Sequence, residues 1–170
     1  AASCVNPISR SGIVEALKEK GFTFVDENPD FVVCGIDRTI SYEKLAKACL
    51  AVRAGARFIS TNADIAIPTE RGFEPGNGSL TSVISVSTRV QPTFIGKPER
   101  IIMEQAIEVI GLDKEDVIMV GDFYETDIMA GMNAGLDTLL VHTGVTTPEQ
   151  LKSYDKQPTY VIHSLDEWTF

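Results

Sequence analysis

Asp122, Asp127 and Lys97 are the residues whose types and spacing could do chemistry in this sequence of 170 residues. The apolar run Val117-Ile118-Met119-Val120 ends in Gly121-Asp122, and Glu125 and Asp127 follow in the same loop. A short apolar run closed by a glycine predicts a buried strand. Ligand sites of open α/β sheets lie outside the carboxyl ends of such strands. Hard carboxylate oxygens there suit Mg²⁺, which takes one or two carboxylates together with waters and a substrate phosphate. Lys97, in a separate Gly96-Lys97-Pro98 corner ahead of a helix, could neutralise the oxygens of a transferring phosphoryl group.

Taken singly, each residue also has a plainer reading. Asp122 could cap the next turn, Asp127 stands where the following helix needs an N-cap, and Lys97 could be a solvated lysine. Asn62 and Asp64, at the exit of an earlier strand, can bind a ligand or cap a turn. His142 and His163 have no partner at metal-ligand spacing and receive no role. Trp168 is expected to pack against the core.

The elements that must position these residues alternate between two periods. Residues 1–5 form a short apolar run, followed by a helical segment that Gly21 stops. Phe22-Thr23-Phe24-Val25 and Phe31-Val32-Val33-Cys34-Gly35-Ile36 predict strands. From Ser41, a good N-cap, Leu45, Ala48, Cys49 and Val52 follow helical spacing to Gly55. Arg57-Phe58-Ile59-Ser60-Thr61 predicts a strand, residues 67–78 with Pro68 and Pro75 an ordered loop, and Leu80, Val83, Ile84 and Ser87 a weaker helical face.

A boundary between two units is placed at Gln91-Pro92. Beyond it, Ile102, Ala106, Val109 and Ile110 predict the buried stripe of a helix ended by Gly111. The strand before Asp122, a short helix over residues 127–134, and strands at Thr138-Leu139-Leu140-Val141 and Tyr160-Val161-Ile162 complete the chain. Strand and helix alternate, so the sheet is expected to be parallel and the fold α/β.

Composition limits the function classes. A 44% hydrophobic content supports a real core, and 24 acidic against 15 basic residues give a formal charge of −9, which argues against a nucleic-acid partner. Cys4, Cys34 and Cys49 lack metal-ligand spacing and are expected to be reduced core residues. No apolar run approaches the roughly 18 to 20 residues of a membrane span, and no signal-like start is visible. No membrane partner and a cytoplasmic location are expected.

Jointly, Gly96-Lys97-Pro98, Val120-Gly121-Asp122, Thr126-Asp127-Ile128, Ala130-Gly131, Ala134-Gly135 and Leu139 through Thr143-Gly144-Val145 resemble the haloacid dehalogenase-like phosphohydrolases, and more closely their NagD-like, p-nitrophenyl phosphatase-like (class IIA) branch. Ser60-Thr61-Asn62-Ala63-Asp64 and Pro75-Gly76-Asn77-Gly78-Ser79-Leu80 resemble the cap region of that branch. The resemblance implies residues 1–91 as an α/β class II (C2A) cap and residues 92–170 as the C-terminal part of a Rossmann-like parallel sheet core. It implies Asp122 as a Mg²⁺ ligand, Lys97 as the catalytic and phosphate-binding cation that steadies a phosphoaspartyl intermediate, and Asp127 as a catalytic acid orienting metal waters or the lysine. Asn62 and Asp64 become substrate-binding residues, the substrate a small phosphate ester, and a homodimer through the cap a possible assembly.

The family's N-terminal Asp-x-Asp-Gly-Thr motif, which carries nucleophile and acid/base, and its second Ser/Thr motif are not found in these residues. Ile36-Asp37-Arg38-Thr39 lacks the second Asp and the Gly and aligns with the cap, so it is not read as a nucleophile loop. The chain is therefore expected to be the C-terminal part of a longer Mg²⁺-dependent phosphatase, inactive alone. The competing expectation is a non-catalytic module that binds a small phosphorylated ligand or a protein partner; a receiver-like phosphoacceptor would leave the long first half unexplained.

Overall fold

The computed structural model describes residues 3–9 and 11–169. Ala1 and Ala2, in the expected opening run, lie outside the described residues. The chain forms two compact units, Ala1–Ile95 and Gly96–Phe170. The division falls a few residues after Gln91-Pro92 because Thr93–Phe94 is a strand that pairs with the sheet of the first unit.

That sheet is parallel throughout. Its strands are β1 (Cys4–Ile8), β2 (Thr23–Phe24), β3 (Phe31–Cys34), β4 (Arg57–Ser60) and, after three intervening elements, the Thr93–Phe94 strand, in the order β2-β1-β3-β4 and then Thr93–Phe94. Buried on both faces, the central strands are near-continuous in apolar residues, as parallel sheets require. Helix α1 (Ser11–Glu19) joins β1 to β2, and α2 (Tyr42–Arg53) joins β3 to β4. Ser41 caps α2 by accepting from Lys44 N, and Ala48, Ala51 and Val52 pack with Ile8, Val32, Cys34, Phe58 and Ile84 into the core. Burial pushes the Cys34 thiol up.

Two expectations change in the first unit. Residues 67–78 are not a loop: β5 (Ala66–Thr69) and β6 (Gly72–Pro75) form an antiparallel hairpin. A two-stranded ribbon has a free edge on each strand, so Pro68 and Pro75 are tolerated there. Helix α3 (Asn77–Thr88) buries Asn77, Thr81, Ile84 and Ser85, while Val83 and Val86 are exposed. Its inner face is polar because it meets the hydroxyl-bearing end of β4: Asn77 Nδ2 donates to Ser60 Oγ at 2.9 Å, and Ser60 Oγ lies 2.8 Å from Thr81 Oγ1. Of the expected stripe, Ile84 is buried and Leu80 packs against the core, whereas Val83 and Ser87 are exposed.

In the second unit, β8 (Ile118–Gly121), β9 (Asp137–Val141) and β10 (Tyr160–Ile162) make a parallel sheet in the order β10-β9-β8, with the Thr93–Phe94 strand counted as β7 in the first sheet. Helices α4 (Arg100–Ile110), α5 (Met129–Ala134) and α6 (Pro148–Leu151) accompany it. Central β9 is buried from Thr138 to Val141, whereas β8 lies at the sheet edge, with Val120 39% exposed, so it is not the fully buried strand its composition suggested. Helix α4 has no buried residue: Ile102 is 42%, Val109 86% and Ile110 56% exposed. The stripe is present in the sequence, but nothing among the described residues covers it. Trp168 packs edge-on against Tyr160, with ring centroids 5.4 Å apart.

The Asp37 loop is structural. Its buried carboxylate accepts from Thr39 N at 2.8 Å, Thr39 Oγ1 at 2.7 Å and Lys44 Nζ at 2.7 Å. Burial by itself would raise the carboxyl, but the bonds from Lys44 and Thr39 outweigh it and hold Asp37 below the usual carboxylate range. A folded pKa below the unfolded value of about 3.9 makes the ionised group stabilising above that pH, a contribution lost as pH falls through the folded value. Urea unfolding of Asp37→Asn should thus show a midpoint below wild type at pH 7, with the gap narrowing below about pH 4. A gap that stays constant with pH would assign the loss to packing instead.

Candidate active site

Lys97 and Asp127 meet in the second unit. After β8 the chain turns through Asp122 and Phe123 into a π-helical turn, Tyr124–Ile128, that runs on into α5. Asp127 sits inside that turn, 6% exposed, and is not the N-cap of α5, a position that falls to Ile128. Its Oδ1 accepts from Lys97 Nζ at 2.6 Å, and its Oδ2 accepts from Phe123 N at 3.2 Å. Gly121 permits this approach, since a Cβ there would collide with the Asp127 Cβ and carboxylate. The Lys97 side chain remains 44% exposed, so one end of the pair is dry and the other faces solvent.

Asp122 is held from the opposite side by the loop leaving β9. Its Oδ2 accepts from Val145 N at 3.0 Å and its carbonyl from Thr146 N at 3.0 Å. Tyr124 N donates to Thr146 Oγ1 at 2.8 Å, and His142 Nδ1 lies 2.9 Å from Thr146 O. A carbonyl oxygen only accepts, so Nδ1 carries the proton of that bond. Gly144 has to be glycine for contact reasons, because a Cβ would overlap Asp122 Oδ2. Asp122 Oδ1 has no hydrogen-bond partner among the described residues.

The third acid of the loop turns elsewhere. Glu125 Oε1 accepts from Tyr154 OH at 3.1 Å, and Tyr154 stacks on Tyr124 with centroids 3.8 Å apart at 16°. Burial raises the Tyr124 phenol, whose OH donates to Lys156 O. Thr147-Pro148-Glu149-Gln150 closes the loop with a capping box at α6, a Thr-x-x-Gln signature legible in the sequence.

Asn62 and Asp64 lie on the loop after β4, in the first unit. Asn62 Oδ1 accepts from Asp64 N at 3.1 Å, which is the turn-capping geometry. The Asn62 carbonyl accepts from Asn77 Nδ2 at 2.9 Å and the Asp64 carbonyl from Gly78 N at 2.8 Å, so the first turn of α3 holds this loop rigid. The glycines of Pro75-Gly76-Asn77-Gly78 serve that contact: a Cβ at Gly76 or Gly78 would collide with the Asp64 or Ala63 carbonyl.

Reading the residues singly overlooked Thr146 and His142. A threonine that bonds through its backbone as well as its hydroxyl leaves no spacing signal, and a histidine without a partner at metal-ligand spacing receives no role from sequence. Among the described residues no group of three or more His, Cys, Asp or Glu side chains stands at metal-binding distance, and no helix is long and apolar enough to cross a membrane.

Comparison with known proteins places this geometry in context. A hydrolase family described as "HAD-hyrolase-like" matches residues 94–168. The chain is similar to 5'-nucleotidase YutF of Bacillus subtilis, 66% identical over 161 residues that cover 95% of this chain and 63% of that protein. Its structure is similar to that of a single mutant of the thermostable NPPase from Geobacillus stearothermophilus (TM-score 0.95, 61% identity, covering 99% of this chain and 67% of that one). It is also similar to NagD from E. coli K-12 (TM-score 0.92, 34% identity, covering 99% and 66%). The chain thus spans a little under two thirds of the length of the curated relative.

Proposed function

Because this chain belongs to the haloacid dehalogenase-like hydrolases, in their NagD-like, p-nitrophenyl phosphatase-like branch, we propose that it carries the electrostatic half of a Mg²⁺-dependent phosphomonoesterase site. The observation that carries the reading is the pairing of Lys97 Nζ with Asp127 Oδ1 at 2.6 Å, in the unit where Asp122 presents a carboxylate oxygen beyond the tip of β8. Relatives are phosphatases.

The donor set fits Mg²⁺ in part. Asp122 offers one hard oxygen, and this ion accepts one or two carboxylates with waters and substrate phosphate completing its shell. When bound, the ion would neutralise charge on the phosphoryl oxygens. Asp122 Oδ1 would hold it, with Oδ2 tied to Val145 N so that the carboxylate cannot swing away. Lys97 would place a positive charge on the same phosphoryl group, and Asp127 would hold its ammonium in place.

The nucleophile would be an Asp carboxylate on the length of the relatives that this chain does not span. Its oxygen would attack phosphorus as the ester P–O bond breaks, the alcohol taking its proton from the acid/base Asp of the same motif; water, giving a proton back to that Asp, would then split the acyl phosphate, releasing inorganic phosphate and restoring both carboxyl groups to their starting states. Residues 1–91 would act as cap, with Asn62 and Asp64 on a substrate-facing loop, and pairing through that cap would give a homodimer. Which small phosphate ester fits is set by that unit.

The test joins the chain to the Asp-x-Asp-Gly-Thr-bearing segment of a relative and measures p-nitrophenyl phosphate hydrolysis. Activity is expected with Mg²⁺, none after chelation, and none from the 170 residues alone. Failure of the joined, folded protein to release phosphate from aryl, nucleoside and sugar phosphates would leave the non-catalytic module as the better account.

A further inference from the structure

We propose that Thr146 is a positioning residue for Asp122, clamping the loop after β8 so that one carboxylate oxygen is presented to a cation. The inference rests on the metal reading of Asp122 and extends it to a residue outside the Lys97–Asp127–Asp122 set.

Thr146 is a polar residue only 3% exposed, and both its N–H and its hydroxyl oxygen bond to this loop. Its N–H donates to Asp122 O at 3.0 Å, and its Oγ1 accepts from Tyr124 N at 2.8 Å. Those bonds grip the chain on both sides of Phe123, the residue whose N–H in turn donates to Asp127 Oδ2 at 3.2 Å. The neighbouring Val145 N–H fixes Asp122 Oδ2 at 3.0 Å and leaves Oδ1 without a hydrogen-bond partner among the described residues. The clamp is itself latched, because the Thr146 carbonyl accepts from His142 Nδ1 at 2.9 Å. A β-branched threonine has few χ1 choices, so the hydroxyl is held where Tyr124 N–H needs it.

Partners of this kind orient metal-ligating carboxylates, and losing one typically costs about 10- to 100-fold in metal affinity or activity. Thr146→Val keeps the shape of the side chain and removes only the acceptor, leaving the Tyr124 N–H buried and unpaired.

In the joined enzyme, the Mg²⁺ concentration for half-maximal rate should rise about 10- to 100-fold in Thr146→Val, with a smaller change in kcat at saturating Mg²⁺. Thr146→Ser, which keeps the hydroxyl, should return it close to wild type. Calorimetric titration with Mg²⁺ alone gives a readout independent of turnover, and hydrogen exchange should show the Tyr124 amide unprotected in Thr146→Val and protected in Thr146→Ser. An unchanged Mg²⁺ requirement in folded Thr146→Val, or an equal defect in Thr146→Ser, overturns the proposal. If Thr146→Val does not fold, His142→Ala releases the latch alone, and a wild-type Mg²⁺ requirement there overturns it too. Loss of activity in Asp122→Asn beside a normal Mg²⁺ requirement in Thr146→Val would sink the clamp but leave the metal role standing; full activity in Asp122→Asn would sink both.

Discussion

Asp122→Asn is expected to lower kcat of the joined enzyme by about a thousandfold or more, with little change in the folded state. Asparagine can still accept from Val145 N through its amide oxygen, so the loop geometry of the 3.0 Å bond survives. What it loses is the charge. A bound divalent ion stabilises the transition state by several kcal/mol, and each ~1.4 kcal/mol is a factor of ten in rate. Hydrolysis of p-nitrophenyl phosphate at saturating Mg²⁺, beside a thermal melt, reads the two effects separately. Full activity in the variant would remove Asp122 from the metal site.

Lys97→Met should cost about a hundred- to a thousandfold in kcat, the range expected when one group aimed at developing charge is removed. It should also destabilise the fold, since Asp127, 6% exposed, keeps its carboxylate buried with only the Phe123 N–H as partner. Leaving a buried group short of a partner costs about 1 to 3 kcal/mol. The 44% exposure of the lysine side chain and screening by solvent point to the low end of that range. Adding Asp127→Asn removes the stranded charge, so the double variant should regain stability but not activity. Recovery of turnover in the double variant would show that the pair is structural and that Lys97 does not touch phosphate.

Much of the positioning scaffold was legible in residue order. Helix α2 was predictable because its start, stop and inner face agree: Ser41 caps, and Ala48 and Val52 are buried at helical spacing. Strand β3 and central β9 were legible because parallel strands buried on both faces must be apolar throughout. Edge and partner, however, are not local properties. The stripe Ile102, Val109 and Ile110 and the apolar run before Asp122 have the composition of buried elements, yet these three side chains are exposed and β8 ends its sheet. Helix α3 buries Ile84 as expected but places Asn77 and Thr81 inside as well, because hydroxyls and amides satisfy one another only once β4 and α3 are brought together.

The site divides along the same line. Residue types and order alone singled out Lys97, Asp122 and Asp127 as candidates for one site and carried the resemblance to a particular phosphohydrolase branch, since charge type and strand-end placement are written locally. Only the tertiary structure decided that Asp127 faces Lys97 and not the end of α5, that Glu125 is spent on Tyr154, and that Val145 and Thr146 close on Asp122. Those are contacts across 22 to 30 residues of chain in the longest cases, such as Tyr124 with Thr146 and Lys97 with Asp127. A hydrogen bond needs atoms within about 3 Å at the right angle, and no spacing rule along a sequence specifies that once the chain has turned through a sheet.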